Sequence, residues 1–340
     1  MIRGGLVALI LVVCASCGST PGSPRLPLER AADAPPSPTI APPPTDAPPT
    51  TQATTPPPTT TPPPPATTTH VPPANAILTP RGFALPVDGR AAGGWVVETP
   101  CGNLATLAKG TPLATPTVIL DPGHGGSETG AVGPNGLRES VVNLAVSRIA
   151  KSALEANGVS VLLTRPGDDR VVLTTRSALV RKLRPTVFVS VHHNASPDEA
   201  RNSPGTETYY QHLSPQSKRL AGLIYEEVFK ALSAYQVPWF GSVDAGAKYR
   251  LNEQGGDFYH VLRETAGTPS VIAELMFLSD APEEALLARP DVQQAEGEAV
   301  ARGILRYLRT QDPGSGYVTP IPRGFADNGG GSQGCVDPPL

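Results

Sequence analysis

The feature that most limits this chain is where its prolines fall. Of 340 residues, 41 are proline, and they crowd between Thr20 and Pro73 in a run that includes PPSPTIAPPPTDAPPTTQATTPPPTTTPPPPATTT. That run has almost no large apolar side chain, so it cannot bury enough surface to offset the entropy of ordering. Residues 18–76 are therefore expected to be a disordered Pro/Thr-rich linker, extended and partly polyproline II. At about 3.1 Å per residue it would reach on the order of 150 Å. The remainder, 77–340, is long enough for one well-buried domain. A net charge of −3 without a basic stripe argues against nucleic acid as a partner.

The N-terminus gives the linker a purpose. MIRGGLVALILVVCASCGST carries Arg3 and then an apolar run, Leu6 to Val13, too short to span a bilayer as a mature helix but suited to a signal-peptide core. The segment Cys14-Ala15-Ser16-Cys17-Gly18 resembles the bacterial lipobox, with Cys17 lipidated as the mature N-terminus. Ordinary signal cleavage nearby is the competing expectation. Residues 1–17 are thus read as an export signal, and the protein is expected in the cell envelope, anchored to the membrane by lipid or free in the periplasm or medium. Export brings an oxidising compartment, and Cys101 and Cys335 flank the main α/β pattern. A disulfide joining a C-terminal tail, 311–340, to an N-terminal extension, 77–116, packed on the domain follows.

Between Thr117 and Arg309 strands and helices alternate. TVILD is a short apolar run stopped by Asp-Pro-Gly; LRESVVNLAVSRIAKSALEANG follows, with Val142, Ala145, Ile149 and Ala153 at helical spacing and Asn157-Gly158 as a stop. VSVLLTR reads as a strand, RVVLTTRSALVRKLR as a helix, TVFVSVHHN and TETYYQHL as strands. SPQSKRLAGLIYEEVFKALSAY is a long helix, SVIAELMFLSD a last buried strand, and Gln293 to Arg309 a final helix. This order predicts a three-layer α/β/α domain over 117–310, with a mostly parallel sheet that binds ligands beyond the carboxyl ends of its strands.

Polar residues cluster at those ends. His124 follows the first strand, His192 and His193 finish the third, and Glu274 interrupts the apolar VIAELMF. A carboxylate in an apolar strand is costly unless paired, hydrogen-bonded or set against a metal. Glu139 opens the first helix, joined to His124 by a glycine-rich loop. Two imidazoles and a carboxylate make a ligand set that suits zinc in hydrolytic sites, with an open position for water. Glu274 is then the candidate base. Asp121 is either an acceptor for a ligand imidazole N–H or a turn-initiating residue before Pro122. Gly123, Gly125 and Gly126 are expected to permit the close approach of a bulky substrate.

The motifs VILDPGHGGSETGAVGPNGLRESVVNLAV, LLTRPGDDRVVLTTRSALV, FVSVHHNAS, GTETYY and PSVIAELMFLSD, in this order, resemble the zinc-dependent N-acetylmuramoyl-L-alanine amidases of the type 3 family. The resemblance implies a six-stranded sheet, one zinc ion, and cleavage of the amide between N-acetylmuramic acid and L-alanine of a peptidoglycan or muropeptide substrate. It assigns His124, Glu139 and His192 as ligands and Glu274 as the catalytic glutamate; His193 replaces a small residue. Asn194 and Arg263 are candidate substrate contacts, against turn-capping and solvated-charge readings. Arg165 and Arg176 are expected to hold loops. A loop, not a blocking helix, is expected between the long helix and the last strand, and the chain is expected to be a monomer. Two alternatives stand: another zinc-dependent cell-wall peptidase or deacetylase, and a non-catalytic wall-binding lipoprotein.

Overall fold

The computed structural model describes residues 73–196, 199–324 and 331–340. The export signal, Cys17 and the linker as far as Pro72 lie outside the described residues. The first ordered element arises at the linker's expected end. Strands β1 (Ala76–Leu78), β2 (Ala84–Ala91), β3 (Gly94–Glu98), β4 (Leu104–Leu107) and β5 (Thr111–Pro112) form a sheet in the order β4-β3-β2-β1-β5, every neighbour antiparallel. Side chains alternate across a strand. Ile77, Leu85, Val87, Trp95 and Val97, with Phe83 just before β2, gather on one side as a small core, while Ala76 and Ala84 face the neighbouring helical layer. The sequence reading gave this region only as an extension, because each alternating run is too short to stand out.

The larger part runs β6 (Val118–Pro122), α1 (Glu139–Ala156), β7 (Val161–Leu163), α2 (Leu173–Leu183), β8 (Val187–Asn194), β9 (Glu199–Arg201), β10 (Glu207–Tyr210), α3 (Pro215–Leu232), β11 (Trp239–Gly241), β12 (Ala247–Lys248), α4 (His260–Arg263), β13 (Ser270–Phe277), α5 (Ala281–Leu287) and α6 (Pro290–Arg309). Six strands make one sheet in the order β12-β10-β13-β8-β6-β7, and β9 pairs with β11 apart from it. The sheet is mostly parallel, as expected, but not wholly so: β7, β6, β8 and β13 are parallel, as are β10 and β12, whereas β10 runs antiparallel to β13. A parallel return needs a long crossover, usually a helix. Only β9 lies between β8 and β10, so the chain re-enters at the edge it has just left.

Alternation splits the sheet's apolar residues between two layers. Val118, Leu120, Val189, Val191, Val271 and Ala273 pack under α1, α3 and α6; Ile119, Phe188, Tyr209 and Ile272 pack under α2 and α4. The fully buried stripe of α1 is Val142, Val146, Ala150 and Leu154, whereas the expected Ala145, Ile149 and Ala153 are only half-buried. Ile149 instead meets α6, whose Gly297 has no room for a Cβ beside it. The last helix begins at Pro290, earlier than Gln293, and α5 precedes it. Between α3 and β13 lie two short strands and the four-residue α4, and no long helix.

Candidate metal centre and active site

Strand β6 delivers its last residues to the carboxyl edge of the sheet, where Pro122 pairs with Val191 of β8. The chain then turns through His124, whose φ of +58° lies in the left-handed region. Few non-glycine residues sit there, and such strain persists only when the surroundings impose it. Two buried arginines supply that constraint. Arg165 donates to the carbonyls of Pro122 (2.9 Å), Gly123 (3.1 Å) and Ser140 (2.6 Å). Arg176 donates to those of Pro122 (2.8 Å), His124 (2.7 Å) and Val171 (2.7 Å). The turn's inward carbonyls are thus satisfied although buried. The glycines permit close packing and, at Gly125 and Gly126, a positive φ: a Cβ on Gly123 would lie 2.2 Å from the His192 ring, and one on Gly125 2.1 Å from the Asp169 carbonyl oxygen.

This turn, the start of α1 and the end of β8 bring His124, Glu139 and His192 together, with one donor atom of each within 4.8 Å of the others. Both imidazoles are oriented from behind. The His124 Nδ1 lies 3.1 Å from Glu128 Oε1, which leaves Nε2 facing Glu139 Oε2 at 3.1 Å. The His192 Nε2–H donates to Ser190 Oγ (3.1 Å), whose O–H donates to Asp121 Oδ2 (2.7 Å), leaving Nδ1 facing Glu139 Oε1 at 3.0 Å. Asp121 therefore touches no ligand imidazole itself. It reaches His192 through a serine hydroxyl, and it also accepts from Arg176 Nη1 and Thr164 Oγ1, each at 2.5 Å. Burial raises its pKa, but Arg176 and the two hydroxyls outweigh that and hold it below the ordinary value.

Glu139 is surrounded by donors. Its Oε2 accepts the Ala131 N–H (2.8 Å), and its Oε1 accepts the His193 N–H (3.2 Å) and Asn143 Nδ2 (3.1 Å). Burial opposes its charge, yet the adjoining imidazoles hold it well below the usual carboxylate range. Burial also opposes protonation of His124, but Glu128 and Glu139 push it up to about 10. Glu274 has the opposite setting. It stands on β13 in register with His192 of β8 on one side and Glu207 of β10 on the other. Its Oε2 is buried with no hydrogen-bond partner among the described residues. Burial first, and then the charges of Glu139 and Glu207, push it well above the ordinary value.

These four side chains, with Glu128 and Thr129, line an open cavity of about 460 Å³. Two oriented imidazole nitrogens, a carboxylate and an orphaned carboxyl oxygen suit a divalent cation and the water beside it.

Several buried groups escaped the sequence reading. Glu207 accepts from Lys248 Nζ (2.7 Å), Asn194 Nδ2 (2.9 Å) and the Tyr209 hydroxyl (2.7 Å). The argument used for Glu274, a carboxylate entering an apolar strand, applies equally to GTETYY and would have found it. Lys248 lies in a two-residue strand that has no pattern to read. Asn194 lines the cavity, with its amide engaged by Glu207 and its oxygen by the Ala195 N–H. Arg263 is not among the cavity's lining residues; it donates to the Asp257 and Phe258 carbonyls. Cys101 and Cys335 are joined as a disulfide, beside which Asp337 accepts from Thr99 Oγ1 and the Cys101 N–H.

Known proteins resemble this chain. The N-acetylmuramoyl-L-alanine amidase family matches residues 118–306, from β6 into α6. The chain belongs to this amidase family. The Bacillus subtilis protein YqiI is 33% identical over 213 residues, 61% of this chain and 94% of YqiI. The N-acetylmuramoyl-L-alanine amidase AmiC of Neisseria meningitidis is 30% identical over 223 residues, 57% of this chain and 53% of AmiC, so the chain spans about half the length of that relative. Among solved structures, Cwp6 from Clostridium difficile is similar at 26% identity with a TM-score of 0.50, covering 58% of this chain and 30% of Cwp6. The amidase match includes all four clustered residues, while β1–β5 precede it.

Proposed function

We propose that this chain hydrolyses the amide bond between the lactyl group of N-acetylmuramic acid and L-alanine of the peptidoglycan stem peptide. The observation that supports this most is that His124, Glu139 and His192, close enough together to share one cation, line a single cavity with Glu274. A single zinc ion held by His124, Glu139 and His192 would supply the Lewis acid that polarises the amide carbonyl and makes water a competent nucleophile near neutral pH. The Glu274 carboxylate carries the proton: it takes one from the attacking water and returns it to the departing alanine nitrogen. Glu128 and Ser190 keep the imidazoles turned with the correct nitrogen forward.

The same reading sets the enzyme in the cell envelope. Residues 1–17 direct export, with Cys17 as the lipid attachment point, and 18–76 give reach. An amidase domain over 117–310 acts as a monomer, flanked by 77–116 and 311–340, which the Cys101–Cys335 disulfide joins. Among the described residues no helix is long and apolar enough to cross a membrane. The test is incubation with purified peptidoglycan, followed by mass spectrometry of the new ends. Free L-alanine amino termini with intact lactyl groups are expected; cleavage only between amino acids would overturn the proposal. Removing metal with a chelator is expected to stop turnover, and adding zinc to restore it.

A further inference from the structure

We infer that His193 and Glu296 form a buried lock that fixes the Asn143 amide and, through it, the Glu139 carboxylate. The inference rests on reading Glu139 as a metal ligand. His193 follows His192 on β8 and so points to the opposite face of the sheet, into the layer of α1 and α6. Its side chain and that of Glu296 on α6 are both fully buried, and Asn143 on α1 is buried beside them.

The hydrogen bonds leave one assignment. Asn143 lies against two groups that can only accept, the Gly123 carbonyl at 3.2 Å and Glu139 Oε1 at 3.1 Å, so its nitrogen must face them. Its oxygen then faces His193 Nδ1 at 2.7 Å. Because that oxygen only accepts, Nδ1 must carry a proton. At the far end of the ring Nε2 lies 3.4 Å from Glu296 Oε2, and the other Glu296 oxygen has no hydrogen-bond partner among the described residues.

Without the His193 donor, the buried Asn143 oxygen loses its hydrogen bond and the amide is held from its nitrogen side alone. A buried imidazole and carboxylate are an expensive way to fill an interior, where apolar residues of similar volume commonly do as well or better for stability. Here they supply direction. His193 is a positioning residue: it meets neither substrate nor metal, and it acts through Asn143 on the ligand.

Two measurements on the full chain decide this. In protein carrying ¹⁵N-labelled histidine, nuclear magnetic resonance is expected to show His193 protonated at Nδ1; a neutral ring protonated only at Nε2 would overturn the lock without any variant. The second compares zinc affinity, by competition with a chromophoric chelator, and the visible spectrum of the cobalt-loaded protein. The samples are the wild type, the double variant His193→Ala with Glu296→Leu, and the double variant His193→Asn with Glu296→Leu. Both variants remove the carboxylate, but asparagine restores an N–H close to the Nδ1 position. The alanine variant is expected to bind zinc about tenfold more weakly with shifted cobalt bands, and the asparagine variant to stay within about twofold of wild type. Equal affinities and spectra in all three would reduce the pair to packing and overturn the inference. A wild type that binds no zinc would instead refute the metal reading. In that case, or if a variant does not fold, the tautomer measurement decides the lock.

Discussion

Glu139 and Glu274 line the same cavity, and their surroundings are opposite. Glu139 accepts from two backbone amides and an asparagine and faces two imidazoles, which hold its pKa well below the ordinary carboxylate range despite burial. Glu274 stands between two strands with one oxygen orphaned, near two other carboxylates, and is pushed well above that range. The difference teaches how two identical side chains divide the labour of a hydrolytic site. Donors on every side make a fixed anion, which a metal ion needs as a ligand. Desolvation beside other carboxylates disfavours the charged form, which sets Glu274 apart as the group proposed to take and return a proton.

The sharpest way to break this comparison is to neutralise each carboxylate in turn. Glu274→Gln is expected to lower turnover of purified peptidoglycan by about 10²–10⁴ while zinc remains bound, whereas Glu139→Gln is expected to lose both zinc and turnover. Equal zinc loss in the two variants, measured by metal analysis after gel filtration, would erase the distinction. Asp121 extends the Glu139 type to a group outside the ligand set. Asp121→Asn strips the buried Arg176 of its carboxylate and is expected to destabilise the fold by about 3–5 kcal/mol in urea unfolding. Gly123→Ala attacks the ligand side alone. Its Cβ would collide with the His192 ring, so a loss of about 1–3 kcal/mol and weaker zinc binding are expected.

The smallest effects concern pH, and they carry opposite signs. The lowered pKa of Asp121 means that its stabilisation is complete above the ordinary value of 3.8 and disappears as the pH falls through the lower folded value. Glu283, buried beneath the amides of Phe240 and Phe277, belongs with Glu274: burial outweighs those two hydrogen bonds and pushes it up to about 7 from 4.5. Its ionisation therefore destabilises the fold as the pH rises from about 4.5 to about 7. Glu283→Gln is expected to flatten the stability profile in that window. An unchanged slope in thermal melts across it would remove Glu283 from the comparison.

Much of the candidate site was legible in the chain because its signals are local. His124 is held in a turn of Asp, Pro and Gly, and Glu274 interrupts an apolar strand; each violates a simple expectation within a few residues. Glu207 was open to the same argument. The arginines that clamp the turn were legible as loop-holding residues, but not their reach to the carbonyls of Pro122, Gly123 and His124, some forty to fifty positions away. The face of α1 was read one step off because the helix packs on both the sheet and α6, which blurs a single apolar stripe.

The sequence by itself determined that a proline-rich segment precedes an α/β domain, and that imidazoles and carboxylates meet at strand ends. Composition and short-range pattern suffice for those, since burial and turn chemistry act over a few residues. Only the tertiary structure decided that β10 runs against its neighbour, that Asp121 reaches His192 through Ser190, and that the His193 side chain meets Asn143 and Glu296. These depend on which elements become neighbours. A hydrogen bond between residues a hundred positions apart, such as His193 with Glu296, has no trace in either residue's own surroundings along the chain.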